Sequence, residues 1–121
     1  GPGQRSDSPY SAVIPKFIND EEININGDGS TIRDFTHVDD VCKAILCSMD
    51  HQTSDVFNVC TGLGTCINSI AKIISNGKKK INYLKPRSGD VKYSVGNPTK
   101  ALNGLGFKAE TPIQFALARM M

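Results

Sequence analysis

Along the 121 residues the apolar positions change their spacing several times, and each change marks an element. In "YSAVIPKFIND" Val13, Ile14, Phe17 and Ile18 recur at helical spacing, with Pro15 in the first turn, where a missing N–H is harmless. "INING", residues 23–27, alternates Ile23 and Ile25 with Asn24 and Asn26, and that period of two predicts a strand with one buried face. Gly27, Asp28 and Gly29 end it in a turn. "TIRDFTHV" predicts a second extended segment through the β-prone Ile32, Phe35 and Val38. Asp39 reads as the N-cap of a helix running to residue 49, with Val41, Ala44, Ile45 and Met49 on one face and both Asp39 and Asp40 satisfying its free N–H groups. "DVFNVC", residues 55–60, predicts a strand, and Thr65 predicts the cap of a helix that carries Ile67, Ile70, Ala71 and Ile74 at i, i+3, i+4 and i+7. "INYL", residues 81–84, is a further strand. Asn97-Pro98 and Thr111-Pro112 open two short helices, the first ended by Gly104 or Gly106, the second carrying Ile113, Leu117 and Met120. Strands alternating with helices give the α/β class, and the length suits one domain.

Charge narrows the partners. The 14 basic and 12 acidic residues leave a net charge of +2 and are spread along the chain, unlike the concentrated basic face of a nucleic-acid binder. Lys78, Lys79 and Lys80 read as a solvated turn. No apolar run approaches the roughly 20 residues that span a bilayer, and the N-terminus lacks a signal pattern, so the expectation is a soluble, cytoplasmic chain that meets neither membrane nor nucleic acid. Cys42, Cys47, Cys60 and Cys66 lack the spacing of zinc sites, sit in apolar-periodic segments and read as reduced core cysteines, with no metal.

Candidate chemistry is sparse. Gly62-x-Gly64 in "TGLGTCI" starts like a dinucleotide fingerprint, but Ile67 stands at the third glycine and no carboxylate precedes Asp90 where a ribose ligand belongs, so a tight turn is expected. The two histidines, His37 and His51, have no evident nucleophile beside them; His37 reads as structural and His51 as a surface residue. Arg33 stands in an otherwise apolar extended segment and Arg87 in the Pro- and Gly-shaped loop "KPRSGDVKYS". Two guanidinium forks on separate loops could clamp a diphosphate. The alternative is local pairing, Arg33 with Asp34 and Arg87 with Asp90, and the residues alone leave both open.

Six motifs, "GPGQ", "INGDG", "IRDFTHVDDV", "FNVCTG", "PRSGDV" and "KALNGLGF", occur in an order and spacing that resembles the C-terminal half of extended short-chain dehydrogenase/reductases acting on nucleotide sugars, the NAD-dependent epimerase/dehydratase family. "YSAVIPKFI", "ININGDG" and "RSGDVKYS" look most like UDP-N-acetylglucosamine 4-epimerases, then UDP-glucose 4-epimerases. The resemblance implies that residues 1–121 are the substrate-binding, C-terminal part of a Rossmann-type protein whose N-terminal NAD-binding portion is missing. The family's Tyr-x-x-x-Lys pair does not occur, since Tyr10, Tyr83 and Tyr93 are followed at the fourth position by Ile14, Arg87 and Asn97. No catalytic, cofactor or metal residue is therefore expected.

Carried over by motif, Arg33 and Arg87 resemble the two diphosphate-binding arginines, and Asp90 the carboxylate that holds the ribose hydroxyls. Asn24 and Asn26 match strand positions whose backbone reads the uracil edge, Ala12 and Val13 match backbone contacts near the nucleotide, and Phe35 matches an aromatic beside the first arginine. In full-length relatives, the resemblance implies, NAD oxidises the sugar at C4, the ketose rotates, and hydride returns to its other face; this chain alone would bind no NAD. The implied partners are a UDP-sugar, the absent NAD-binding domain, and a second copy meeting uncovered apolar faces. A dehydratase, decarboxylase or reductase of the same family, or a non-catalytic interaction module, is the alternative. Two departures stand out: the segment between "KFIND" and "EININ" is shorter than usual, and Asn97 replaces the family's usual aspartate.

Overall fold

A computed structural model describes residues 1–7 and 13–121. The candidate Ala12 and Tyr10 lie outside the described residues. Helix α1 (Val13–Asn19) leads into strand β1 (Ile23–Asn26), whose Ile23 and Ile25 are buried while Asn24 is exposed, as the period of two requires. β1 pairs in parallel with β4 (Ile81–Leu84), with Ile23 opposite Ile81 and Asn26 opposite Leu84. The buried face meets α3 (Ile67–Ser75), whose Ile67, Ile70, Ala71 and Ile74 form the predicted stripe. Leu117 of α5 (Ile113–Ala118) and Phe17 of α1 close this core.

A second sheet flanks the first: β2 (Ile32–Asp34) lies between β3 (Gly64–Cys66), antiparallel, and β5 (Tyr93–Ser94), parallel. The predicted strand at 55–60 does not form. That segment joins neither sheet, and its Phe57 and Val59 instead pack on a smaller core of Ala44, Ala101 and Phe107. This core joins α2 (Val38–Met49) to α4 (Thr99–Leu105).

Two expected caps move. α2 is capped by His37, whose Nδ1 accepts from the Asp39 amide at 3.2 Å, because the chain turns helical one residue earlier than the first aspartate. Asp39 pairs with Arg119 at 2.7 Å instead. The residue before α3 is Cys66, since Thr65 is held in the β2–β3 ladder opposite Arg33. Before α4 the cap position falls to Pro98, while Asn97 Oδ1 accepts from the Thr99 amide at 3.0 Å. Lys79 also departs from the solvated reading: its ammonium donates to the carbonyls of Phe17, Ile18 and Asp20, which the end of α1 leaves without helical partners.

The apolar face predicted for α2 is not buried as a whole. Ala44 packs inward, but Val41, Ile45 and Met49 are exposed, with Val38 and Leu46 beside them. The four cysteines are free, but the core placement expected of them holds fully for Cys60 alone: Cys47 and Cys66 are half-buried, and Cys42 is exposed because it lies on the uncovered side of this same helix. Among the described residues no helix is long and apolar enough to cross a membrane, and no cluster of His, Cys, Asp or Glu could hold a metal ion.

Asp40 is fully buried in the first turn of α2, and its two oxygens accept from the Glu110 and Thr111 amides at 3.2 and 3.1 Å, anchoring the approach to α5. Burial pushes its carboxyl up, but the hydrogen bonds from Thr111 and Glu110, aided by Lys43, outweigh this and leave it below its ordinary value. A carboxyl so depressed stabilises the fold above the ordinary carboxylate range, and that contribution is lost as the pH falls through its folded value. Asp40→Asn leaves one acceptor for two amides and should cost about 1–3 kcal/mol in urea unfolding near pH 7. The gap between variant and parent should narrow in acid; a gap that stays constant down to about pH 2 would show that the charge plays no part.

Candidate functional site

Every described candidate reaches one place. Val13 from α1, Asn24 and Asn26 from β1, Arg33 from β2, and Arg87 and Asp90 from the segment after β4 all line a cavity of about 710 Å³. The parallel pair puts the ends of β1 and β4 side by side, so the turn after β1 and the segment after β4 leave from the same edge of the sheet. A second cavity of about 620 Å³ adjoins it and shares Asn26, Thr31, Leu84, Arg87 and Asp90 in its wall.

Local chemistry holds these loops. Gly29 has φ of +72°, and a Cβ there would lie 2.1 Å from Asn68 Oδ1, so only glycine allows the turn to approach α3 this closely. Asn68 repays the contact by donating to Asp28 O at 2.9 Å and accepting from the Tyr83 hydroxyl at 3.1 Å. The turn from Gly27 to Gly29 is thus fastened to both α3 and β4.

Neither local pairing of the arginines occurs. Arg33 donates through Nη1 to Ile32 O at 2.9 Å and through Nη2 to Asp90 Oδ1 at 2.8 Å, tying β2 to the segment after β4. Asp34 cannot take that role, because successive side chains of a strand leave on opposite faces. Arg87 has no hydrogen bond or ion pair for its side chain among the described residues and lies exposed at the wall common to both cavities. The arrangement supplies one oriented guanidinium with N–H groups to spare, one unpaired guanidinium, and a carboxylate bonded to the first, a set suited to a phosphate flanked by hydroxyl groups.

Sequence reasoning missed Asp34. Its carboxylate accepts from the Thr61 amide at 3.0 Å, the Thr61 hydroxyl at 2.5 Å, the Gly62 amide at 2.8 Å and the Gly96 amide at 3.3 Å. Gly62, at φ of +75°, completes the tight turn expected for Gly62-x-Gly64, and its amide is committed to Asp34. A pyrophosphate therefore does not fit this turn as it fits a dinucleotide-binding loop. Beside it, burial and then the Asp34 charge push the Cys60 thiol up, which favours its neutral form. Also unforeseen in the larger cavity are Lys16 of α1 and Asp20 just beyond the helix end.

The first 60 residues match the family model described as the NAD dependent epimerase/dehydratase family. The solved UDP-glucose 4-epimerase of Thermotoga maritima, in complex with UDP-glucose, is similar to this chain with a TM-score of 0.89 and 35% identity, over 97% of the chain. The chain belongs to the NAD-dependent epimerase/dehydratase family. Another family member, the UDP-N-acetylglucosamine 4-epimerase of Methanobrevibacter ruminantium in complex with UDP-N-acetylmuramic acid, superposes with a TM-score of 0.87 and 37% identity over 97% of the chain. A putative UDP-glucose 4-epimerase of Methanocaldococcus jannaschii is 32% identical over 92% of the chain. The chain spans 40% of the length of each of those two solved family members and 37% of the third.

Asp34 and Asp90 make separable predictions. Asp34→Asn should lower stability by about 1–3 kcal/mol, since bonds to a charged acceptor are lost, and should speed hydrogen exchange at the Thr61, Gly62 and Gly96 amides. Asp90→Asn should leave those amides protected. Equal exchange in the two variants would remove Asp34 as the tie.

Proposed function

We propose that this chain is the nucleotide-gripping, substrate-binding region of an NAD-dependent 4-epimerase acting on a UDP-hexose or UDP-N-acetylhexosamine. The observation that carries the reading is the convergence of Arg33, Arg87 and Asp90 on one cavity beside the polar face of β1. The two arginines bind the diphosphate, Arg33 already aimed by Ile32 O and Asp90, Arg87 swinging in from solvent. The unbonded oxygen of Asp90 accepts hydrogen bonds from the ribose hydroxyls. Val13 and the edge of β1 border the nucleoside. Binding energy gathered at the nucleotide, remote from the reacting carbon, holds the sugar while leaving it free to turn.

The family's dinucleotide supplies oxidation and reduction when bound; the committed Asp34–Gly62 turn gives it no cradle here, so no step of that chemistry is assigned to these residues. The exposed stripe of Val38, Val41, Ile45 and Met49 on α2 is the face on which the cofactor-binding portion of such an enzyme would pack, or through which copies of the isolated chain would associate. A dehydratase, decarboxylase or reductase would use the same grip.

Two outcomes are expected. In calorimetric titration the chain should bind UDP-N-acetylglucosamine or UDP-glucose in preference to a non-uridine sugar nucleotide, and Arg33→Ala and Arg87→Ala should each weaken binding by about tenfold or more, the scale of a charge-assisted bond. Retention of full affinity in both variants would remove the clamp. The purified chain should show no epimerisation with added NAD, lacking the Tyr-x-x-x-Lys pair; turnover above a blank would contradict the division of labour.

A further inference from the structure

The polar face of β1 carries two asparagines in unlike circumstances. Asn24 is wired across the sheet: its Oδ1 accepts from Asn82 at 3.2 Å, and Asn82 also donates to Glu22 at 2.7 Å. Asn26 stands opposite Leu84, is half-buried, and has no hydrogen-bond partner for its carboxamide among the described residues. It lies in the wall shared by the two cavities, close to the unpaired Arg87 and the apolar Leu84. With no partner among the described residues, that amide keeps both its donor and its acceptor for a group bound in the cavity.

We propose that the side-chain carboxamide of Asn26 reads the hydrogen-bonding edge of the nucleobase, making this residue a determinant of which base is accepted. This rests on the nucleotide-gripping reading above and adds to it a side chain where the resemblance implied only strand backbone. With the diphosphate held by Arg33 and Arg87, Leu84 and Pro86 offer apolar surface to a planar ring next to Asn26. A carboxamide sets an acceptor beside a donor. Uracil answers with N3–H donating to Oδ1 and a ring carbonyl accepting from Nδ2–H. A carboxylate in the same place accepts only, so it would oppose that carbonyl, whereas guanine presents two adjacent donors, N1–H and N2–H, to it.

The test is calorimetric titration of the 121-residue chain, Asn26→Leu and Asn26→Asp with UDP, GDP and inorganic pyrophosphate, each protein first shown to be folded by circular dichroism. Asn26→Leu should weaken UDP binding about tenfold, the worth of a bidentate base contact, and leave pyrophosphate binding unchanged. Asn26→Asp should lower the ratio of UDP to GDP affinity by about the same factor or more. If the parent binds UDP and both variants match it with an unchanged ratio, the side chain does not read the base, while the arginine grip stands. Loss of pyrophosphate together with UDP in Asn26→Leu would also overturn the proposal, since the residue would then be shaping the anion site. A folded parent that binds neither UDP nor pyrophosphate overturns this inference and the grip together.

Discussion

A parallel pair of four-residue strands cannot stand on its own ladder; what holds β1 to β4 is the burial of Ile23 and Ile25 against Ile70, Ile74 and Leu117. Burying such side chains contributes about 1.5–3 kcal/mol each. Because a strand has a period of two, the same burial dictates where Asn24 and Asn26 stand. The apolar face therefore sets the polar one, and the pairing register brings the turn after β1 and the segment after β4 together at one edge. The cavity is a consequence of the core.

Carboxylates then connect what the core leaves apart. Asp34, Asp40 and Asp90 each bind groups far away along the chain: Asp34 the turn at Thr61 and Gly62, Asp40 the approach to α5, Asp90 the guanidinium of Arg33. Asp34 and Asp40 serve backbone amides that end elements without a ladder, so each substitutes for secondary structure where the chain has none. Asp90 differs, since it is part-exposed and holds a side chain, which leaves it able to exchange partners with a ligand.

Much of the fold was legible because its cause is local. The stripe of Ile67, Ile70, Ala71 and Ile74 and the alternation in β1 are periodic patterns that any core would reward, and α1, α3, β1 and β4 fall where the pattern puts them. The segment 55–60 has the composition of a strand, but pairing is a property of two segments, and this one joins neither sheet. Asp39 resembles a cap as well as His37 does; the difference lies in the backbone turn at Val38, which composition does not encode. At the site, the candidate residues were legible through motif spacing, and Arg33 with Asp90 was not, because a contact between residues 57 positions apart leaves no local trace. Asp34 hid for the opposite reason: its adjacency to Arg33 suggested an ion pair that strand geometry forbids.

The shared phase of β1 and β4 also governs how this region can change by descent. Adding or removing one residue within Ile23–Asn26 would exchange its faces, sending an amide toward Ile70 and Leu117 and an isoleucine into the cavity wall. The same change among residues 20–22, which are exposed, alters the length of the approach and leaves the phase intact. That stretch, between "KFIND" and "EININ", is the one where the resemblance implied a shortened connection. Codons can be lost there without cost to the core, because the chain re-enters the sheet on the correct foot at Ile23.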